Sequence, residues 1–146
     1  MINLFDNSQK ITSIAGIYNG CTNLIGSPVC SDNITNMDYA YYNCYRLTGE
    51  PVCGNNVTNM YRTYYCCYNL TGSPVCGPKV TNMWSTYSGC YSLTGRPFVP
   101  DGIANAQHAY SDCWLIQGTP SVGKDVNSLE STFMNCHKLR GTAVCG

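Results

Sequence analysis

The cysteines are the residues most able to do chemistry in this chain, and their spacing is regular. The chain has eleven cysteines in 146 residues. Six recur every 23 residues with no insertion or deletion: Cys21, Cys44, Cys67, Cys90, Cys113 and Cys136. A second set at this spacing holds Cys30, Cys53, Cys76 and Cys145, with Val99 and Val122 filling its gaps. Because valine replaces cysteine there, we expect free, buried thiols, and disulfides between neighbouring copies remain the alternative.

The other reactive side chains do not form a catalytic pattern. Cys66 stands outside both cysteine sets, so we expect it to be exposed and to be the reactive thiol. His108 and His137 fall at different places in the period, and no Cys-x-x-Cys pair or glycine-rich phosphate loop occurs. Asp101 and Asp125 are too few carboxylates for a calcium cage. The sequence therefore predicts that the protein is not an enzyme and has no cofactor and no metal site.

The same period orders the apolar residues, which must position whatever site exists. Sliding the chain by 23 aligns three further sets. They are Leu24, Leu47, Leu70, Leu93, Ile116 and Leu139; Gly26, Gly49, Gly72, Gly95, Gly118 and Gly141; and Tyr18, Tyr41, Tyr64, Tyr87, Tyr110 and Phe133. A fixed period of 20 to 50 residues is typical of a repeat solenoid, in which each copy packs on its neighbours.

Each copy contains one pattern typical of a helix and one typical of a strand. Apolar residues from Val57 to Leu70 recur at steps of three and four, which predicts a short helical arc from Thr58 to about Cys67. Thr58 and Asn59 are residue types that cap helix N-termini. The segment from Leu70 to Cys76 predicts one short parallel strand per copy. We expect the glycine set to have positive φ or to contact the next copy closely.

The chain reads as a single domain over residues 1–146. Residues 1–10 are a degenerate first turn, residues 11–98 hold regular copies and residues 99–146 hold diverged ones. Strand segments would begin and end this array, so both ends would present open edges that another protein or a second copy should cover.

Composition restricts the class of partner. The formal net charge is zero and only 11% of residues are charged, which disfavours nucleic acid. No run of 18 apolar residues occurs, which disfavours membrane insertion, and the start of the chain lacks the pattern of a secretory signal peptide.

The recurring Val-Thr-Asn-Met box resembles the BspA-like branch of the leucine-rich repeats, in particular the Mycoplasma-type surface-protein repeat. The box stands at residues 34–37, 57–60 and 80–83, followed by an aromatic, a cysteine and a leucine at fixed steps. The segment LTGSPVC and the shorter period depart from that family. The resemblance implies a right-handed α/β solenoid of leucine-rich-repeat type, in proteins displayed on bacterial surfaces or in phage, and a role in adhesion or recognition.

Two sets of residues are candidates for a binding surface. The first is an aromatic stripe that follows the cysteines: Tyr45, Tyr68, Tyr91 and Trp114. It either binds sugar or protein, as tyrosine-rich paratopes do, or only shields the surface. The second is a variable row on the predicted strand face: Glu50, Ser73, Arg96 and Thr119.

These observations lead to two hypotheses. The first is a non-catalytic adhesion module, extracellular on a bacterial cell surface or a phage virion, that binds protein or glycan on a host or neighbouring cell. The second is a structural subunit that assembles end to end, as a homo-oligomer or within a virion or filament.

Overall fold

A computed structural model describes residues 11–141 and the backbone of residues 144 and 145. Its regular elements are three strands of two residues each: β1 (Phe98–Val99), β2 (Ser121–Val122) and β3 (Val144–Cys145). They form one parallel sheet in the order β1-β2-β3. The described residues contain no helix, and so none that is long and apolar enough to cross a membrane.

The predicted α/β leucine-rich-repeat solenoid is therefore wrong. The helical arc from Thr58 to Cys67 does not form, and Leu70 to Cys76 is not a strand. The predicted first turn at residues 1–10, and the prediction for the Cys145 side chain, lie outside the described residues.

Before the short sheet, the strand-type pairing between neighbouring 23-residue copies consists of single parallel bridges. Asn36 pairs with Asn59, Asn59 with Asn82, and Asn82 with Asn105, and the pairs Ser13 with Asn36 and Asn105 with Ser128 continue this register. The Asn59 side chain also accepts a hydrogen bond from the Tyr61 N–H at 3.0 Å. The predicted helix cap is thus an Asx turn, which uses the same side-chain acceptor to turn the chain rather than to start a helix.

The segment from Met60 to Cys67 and its equivalents form what we call the turn wall, in which backbone hydrogen bonds alternate. Thr63 N–H donates to Met60 C=O within the copy, whereas Arg62 N–H donates to Trp84 C=O and Tyr64 N–H to Thr86 C=O in the next copy. Alternate residues therefore close local turns and link copies, so a regular i to i−4 helix is not formed.

Backbone conformation explains why the helical spacing misled. Arg62 and Cys66 have φ of 49° and 57°, in the left-handed region, and their equivalents in the other copies do too. Two such residues four positions apart interrupt any α-helix. Inward-facing side chains still recur at steps of three and four, because the chain closes a turn every three to four residues, as the bonds from Thr63 N–H to Met60 C=O and from Cys67 N–H to Tyr64 C=O show.

The core is a set of stacked side chains, one of each kind from each copy. Tyr41, Tyr64, Tyr87 and Tyr110 are almost fully buried, and their ring centroids are 5.5, 5.6 and 5.5 Å apart. Cys67 and its buried equivalents lie beside them, and the Cys67 thiol donates to Tyr41 C=O at 3.1 Å. These four tyrosines are therefore core residues, whereas Tyr18 and Phe133, at the two ends of the set, are half-buried. The first cysteine set is buried as free thiols from Cys44 to Cys113, whereas Cys21 is exposed.

Opposite the turn wall lies what we call the proline wall, the segment from Leu70 to Cys76 and its equivalents. Its backbone is bonded across the core by tyrosine hydroxyls. The Tyr64 hydroxyl donates to Val52 C=O at 2.7 Å and accepts from Val52 N–H at 3.1 Å. Tyr41 and Tyr87 make the same pair of bonds with Val29 and Val75. Because these groups are already paired, they are not available for a strand ladder.

The glycine set permits close approach between copies. A Cβ on Gly49 would lie 2.3 Å from Ser27 Oγ, and one on Gly72 would lie 2.6 Å from Glu50 Cγ. Both glycines also have positive φ, of 81° and 79°. Both parts of the glycine prediction are therefore confirmed at these two positions.

Candidate functional site

The aromatic stripe is a continuous stack of rings on the surface. Centroids are 4.8 Å apart for Tyr45 with Tyr68 and for Tyr68 with Tyr91, with interplanar angles of 4° and 5°. Trp114 extends the stack at 4.1 Å from Tyr91. The spacing matches the separation of neighbouring strands, about 4.8 Å, because each ring comes from the next copy.

Stacking determines which parts of the stripe a partner can touch. The faces of the inner rings cover each other, so the tyrosines present edges to solvent. The three tyrosines are half-buried, whereas Trp114 is 46% exposed. The stripe thus offers a row of ring edges and, at Trp114, a large open aromatic surface. Aromatic residues of this kind are the usual anchors of binding surfaces, because they bury much area at low conformational cost.

The variable row is exposed but is not brought into the stripe. Glu50, Ser73 and Arg96 are exposed and Thr119 is half-buried. Glu50 lies against Gly72 and Ser73 against Gly95, so each covers the glycine of the next copy. Arg96 Nε donates to Thr119 C=O. No ring contact or hydrogen bond among the described residues joins this row to the stripe.

A depression lies near the last described copy. It measures about 630 Å³, and its lining includes His137, Gln117 and Arg140. His137 follows Trp114 at a spacing of 23, but no residue of the stripe or of the variable row lines the depression.

Sequence reasoning missed a cluster around Arg62, which we call the Arg62 cluster. The guanidinium carbon of Arg62 lies 4.6 Å from the centroid of the Trp84 ring and within 6.0 Å of the centroids of four tyrosine rings. These tyrosines are Tyr39, Tyr42, Tyr61 and Tyr65. Such contacts are cation–π interactions, each worth about 0.5–2 kcal/mol. Tyr42 and Tyr65 were visible as a partial set in the sequence, but Arg62 contacts rings from three copies and only the fold reveals it.

Unpaired polar atoms lie inside the Arg62 cluster. Arg62 Nε and Trp84 Nε1 are buried and have no hydrogen-bond partner among the described residues, and the same holds for Asp38 Oδ1. Burial raises the pKa of the Asp38 carboxyl above its ordinary value.

Cys66 is not the exposed thiol that the sequence predicted. It is half-buried, and a Cβ on Gly89 would lie 3.1 Å from its Sγ. Burial raises the pKa of the Cys66 thiol, although hydrogen bonding to Tyr68 and Tyr65 opposes the shift. A raised pKa leaves less thiolate at neutral pH, so the thiol is less reactive than an exposed one.

No group of three or more histidine, cysteine, aspartate or glutamate side chains in the described part of the chain is arranged to hold a metal ion.

Comparison with known proteins assigns no family, since no family profile, curated protein or solved structure matches this chain.

Proposed function

We propose that this protein is a non-catalytic binding module that holds a protein or glycan ligand against the aromatic stripe. The observation that supports it most directly is the exposed end of a rigid stack. Trp114 is 46% exposed, yet Tyr91 packs on it at 4.1 Å. A ring fixed in this way loses little freedom on binding, so more of its contact energy contributes to affinity. Display on a bacterial surface or a phage particle belongs to the same proposal.

The experiment is a binding screen against an array of defined oligosaccharides and a panel of purified surface glycoproteins. Every hit is repeated with the double variant Trp114→Ala, Tyr91→Ala. The matched control is Ile25→Ala, because Ile25 is 68% exposed but lies outside the stripe. We expect the double variant to lose at least about tenfold in affinity, as central aromatic residues of interfaces do, and the control to lose none. Equal binding by the double variant, or no hit with the wild type, would overturn the proposal.

A second candidate function, end-to-end assembly, is favoured by the two edges of the described structure. Within the array, Gly16 N–H donates to Asp38 C=O and Tyr18 N–H to Ala40 C=O, and the later copies repeat these bonds. The equivalent N–H groups of Ser131 and Phe133, in the last described copy, have no such partner among the described residues. The same holds for Ala15 C=O and Ile17 C=O in the first described copy. Within the described residues, one edge thus offers backbone donors and the other offers backbone acceptors at equivalent positions of the copy.

Apolar exposure at the donor edge supports this candidate. Leu129 is 37% exposed and Met134 is 43% exposed, whereas the residues equivalent to Leu129 in the earlier copies, from Ile14 to Ala106, are buried. A contact between the two edges would be head-to-tail and would give a filament unless it closes into a ring.

Light scattering across a concentration series in reducing buffer tests assembly. We expect mass to rise with concentration for the wild type, and the double variant Leu129→Lys, Met134→Lys to stay monomeric, because charges at an edge oppose strand-like pairing. Ile25→Lys is the control for a charge placed elsewhere on the surface. A wild-type monomer at every concentration would rule out this candidate.

A further inference from the structure

Two columns of stacked rings stop at neighbouring points on the turn wall. Tyr42 stacks on Tyr65 at 4.9 Å and 10°, but the next two residues at this position of the copy are Ser88 and Ser111. Tyr61 packs on Trp84 at 4.6 Å, and the next residue in that column is Gln107. The faces of Tyr65 and Trp84 that point toward the later copies are therefore not covered by a further ring.

A depression of about 280 Å³ lies where the rings stop. Its lining includes Tyr65 and Trp84, the serines Ser85, Ser88 and Ser111, and Met134. Because Ser88 and Ser111 stand where the two preceding copies have Tyr42 and Tyr65, the space that further rings would fill is left open. Its volume is at the lower end of small-ligand sites, which begin at about 300 Å³, and so suits a single ring rather than a long chain.

The polar groups around the depression differ from one side to the other. Arg62 borders the depression on the side of the aromatic rings. The rings attract the guanidinium, but they are neutral and so do not compensate its positive charge. On the far side lie His108 and Asp112. Asp112 Oδ1 accepts a hydrogen bond from Asn135 Nδ2 at 2.8 Å, and His108 Nδ1 lies 3.2 Å from Ser111 Oγ. The far side is thus held in place by its own bonds, while no ion pair of Arg62 with a carboxylate, Asp112 included, is found within the described residues.

We propose that this depression binds one pyranose ring that carries a carboxylate, such as a hexuronic acid residue of a glycan. The apolar face of the sugar packs on Tyr65 in the place of the missing ring. Its hydroxyls bond to Ser88 and Asp112, which suits a carboxylate acceptor and a serine donor. Its carboxylate pairs with Arg62, whose charge-assisted bond is stronger than a neutral one.

The site is separate from the aromatic stripe. It rests on the proposed binding function only in taking a glycan as its class of ligand.

Glucuronic acid and glucose form a matched pair of probes, because they differ only in a carboxylate replacing a hydroxymethyl group. The chain has two tryptophans, so a Trp114→Phe background leaves Trp84 as the single fluorescent reporter beside the depression. We expect glucuronic acid to change Trp84 fluorescence and to bind at least tenfold more tightly than glucose.

Two variants separate the parts of the proposal. Ser88→Tyr adds a third ring to the Tyr42 and Tyr65 stack and should abolish binding while keeping the fold, and Thr94→Tyr adds a tyrosine outside the depression as its control. Arg62→Gln should bring glucuronic acid down to the affinity of glucose. Equal binding of the two sugars by the wild type, no response to either, or binding unchanged by Ser88→Tyr would overturn the proposal. Because Tyr91→Ala in the Trp114→Phe background should leave this binding intact, failure here and failure of the stripe proposal are distinguishable.

Discussion

Tyr64 and Phe133 occupy the same position in two copies, but the backbone that each one faces across the core has a different structure. The Tyr64 hydroxyl bonds both the N–H and the C=O of Val52, 12 residues earlier, and Val52 is not in a strand. Phe133 has no hydroxyl, and Ser121, the residue 12 earlier, lies in β2 and pairs with Phe98 and Val144. Tyr110 is intermediate, because it bonds only Phe98 C=O, and Phe98 lies in β1.

The difference shows that one buried hydroxyl competes with a strand ladder for the same backbone groups. The replacement of cysteine by valine in the proline wall also frees backbone groups for a strand ladder. Where Cys53 is present, Gly77 N–H donates to its Sγ, but where Val99 replaces cysteine, Gly123 N–H donates to Val99 C=O at 2.7 Å. Strands therefore form in the diverged copies, since these have lost the side-chain partners that hold the proline wall in the regular ones.

The largest expected effect that follows is alkaline unfolding in reducing buffer. Burial raises the pKa of Cys67, Cys90 and Cys113 well above 9 and that of Tyr64 well above 10. Above about pH 9 the unfolded chain releases these protons and the folded chain does not, so the free energy of unfolding falls as pH rises. Each such thiol contributes up to about 1.4 kcal/mol per pH unit, or about 4 kcal/mol for the three together.

Urea unfolding at a series of pH values between neutral and strongly alkaline measures this loss. The stability should be constant below the ordinary thiol pKa and should fall steadily above it. A stability that is unchanged well above that pKa would contradict the burial of protonated thiols and hydroxyls.

Replacing the hydroxyl itself should have the next largest effect. Tyr64→Phe leaves Val52 N–H and C=O without their partner in the core, which should cost about 1–3 kcal/mol in the free energy of unfolding. Tyr45→Phe removes a surface hydroxyl from the stripe and should change the free energy of unfolding by less than about 0.5 kcal/mol. Chemical denaturation of both variants gives the difference. Equal values would mean that the Tyr64 hydroxyl does not hold the proline wall.

A smaller effect should follow from the turn wall, which has the left-handed backbone in every copy. Cys66 has φ of 57°. Cys66→Val should cost about 1–2 kcal/mol, because β-branched residues fit the left-handed region poorly, whereas Cys66→Asn should be neutral or stabilising. Both variants remove the thiol, so unfolding curves of the pair isolate the backbone effect. Identical stabilities would show that this conformation does not limit residue choice.

The position of Cys66 within the copy also shows which parts of the fold could be predicted from the sequence. Burial could be predicted, because Tyr64, Cys67 and the glycines recur in register. The helix could not be excluded from apolar spacing alone, since a chain of tight turns repeats at nearly the same steps. The sequence did contain a cue: the positions equivalent to Cys66 hold Gly20, Asn43, Gly89, Asp112 and Asn135. These are the residue types that favour the left-handed region, and near the end of the predicted arc they indicate that any helix would stop there.

The candidate site could be predicted only in part. The stripe was visible as a periodic set, but the orientation of Tyr68 relative to Tyr91 depends on stacking between copies. The Arg62 cluster and the depression beside it depend on contacts between Arg62, Trp84 and rings of other copies. Arg62 and Trp84 each occur in only one copy, so the repeat pattern gives no sign of their contacts. The Arg62 cluster and the depression could therefore be found only from the structure.

The smallest expected effect comes from restoring the missing hydroxyl. Phe133→Tyr places a hydroxyl opposite Ser121, whose N–H now donates to Pro97 C=O at a long 3.4 Å. Because one pair of bonds replaces another, the free energy of unfolding should change by less than about 1 kcal/mol. The local change should be clear in amide hydrogen exchange: protection should rise at Ser121 and stay constant at Gly123, whose bond to Val99 C=O is short. If exchange at Ser121 is unaffected, the strand in the diverged copies has another cause, and the valines at positions 99 and 122 become the residues to replace with cysteine.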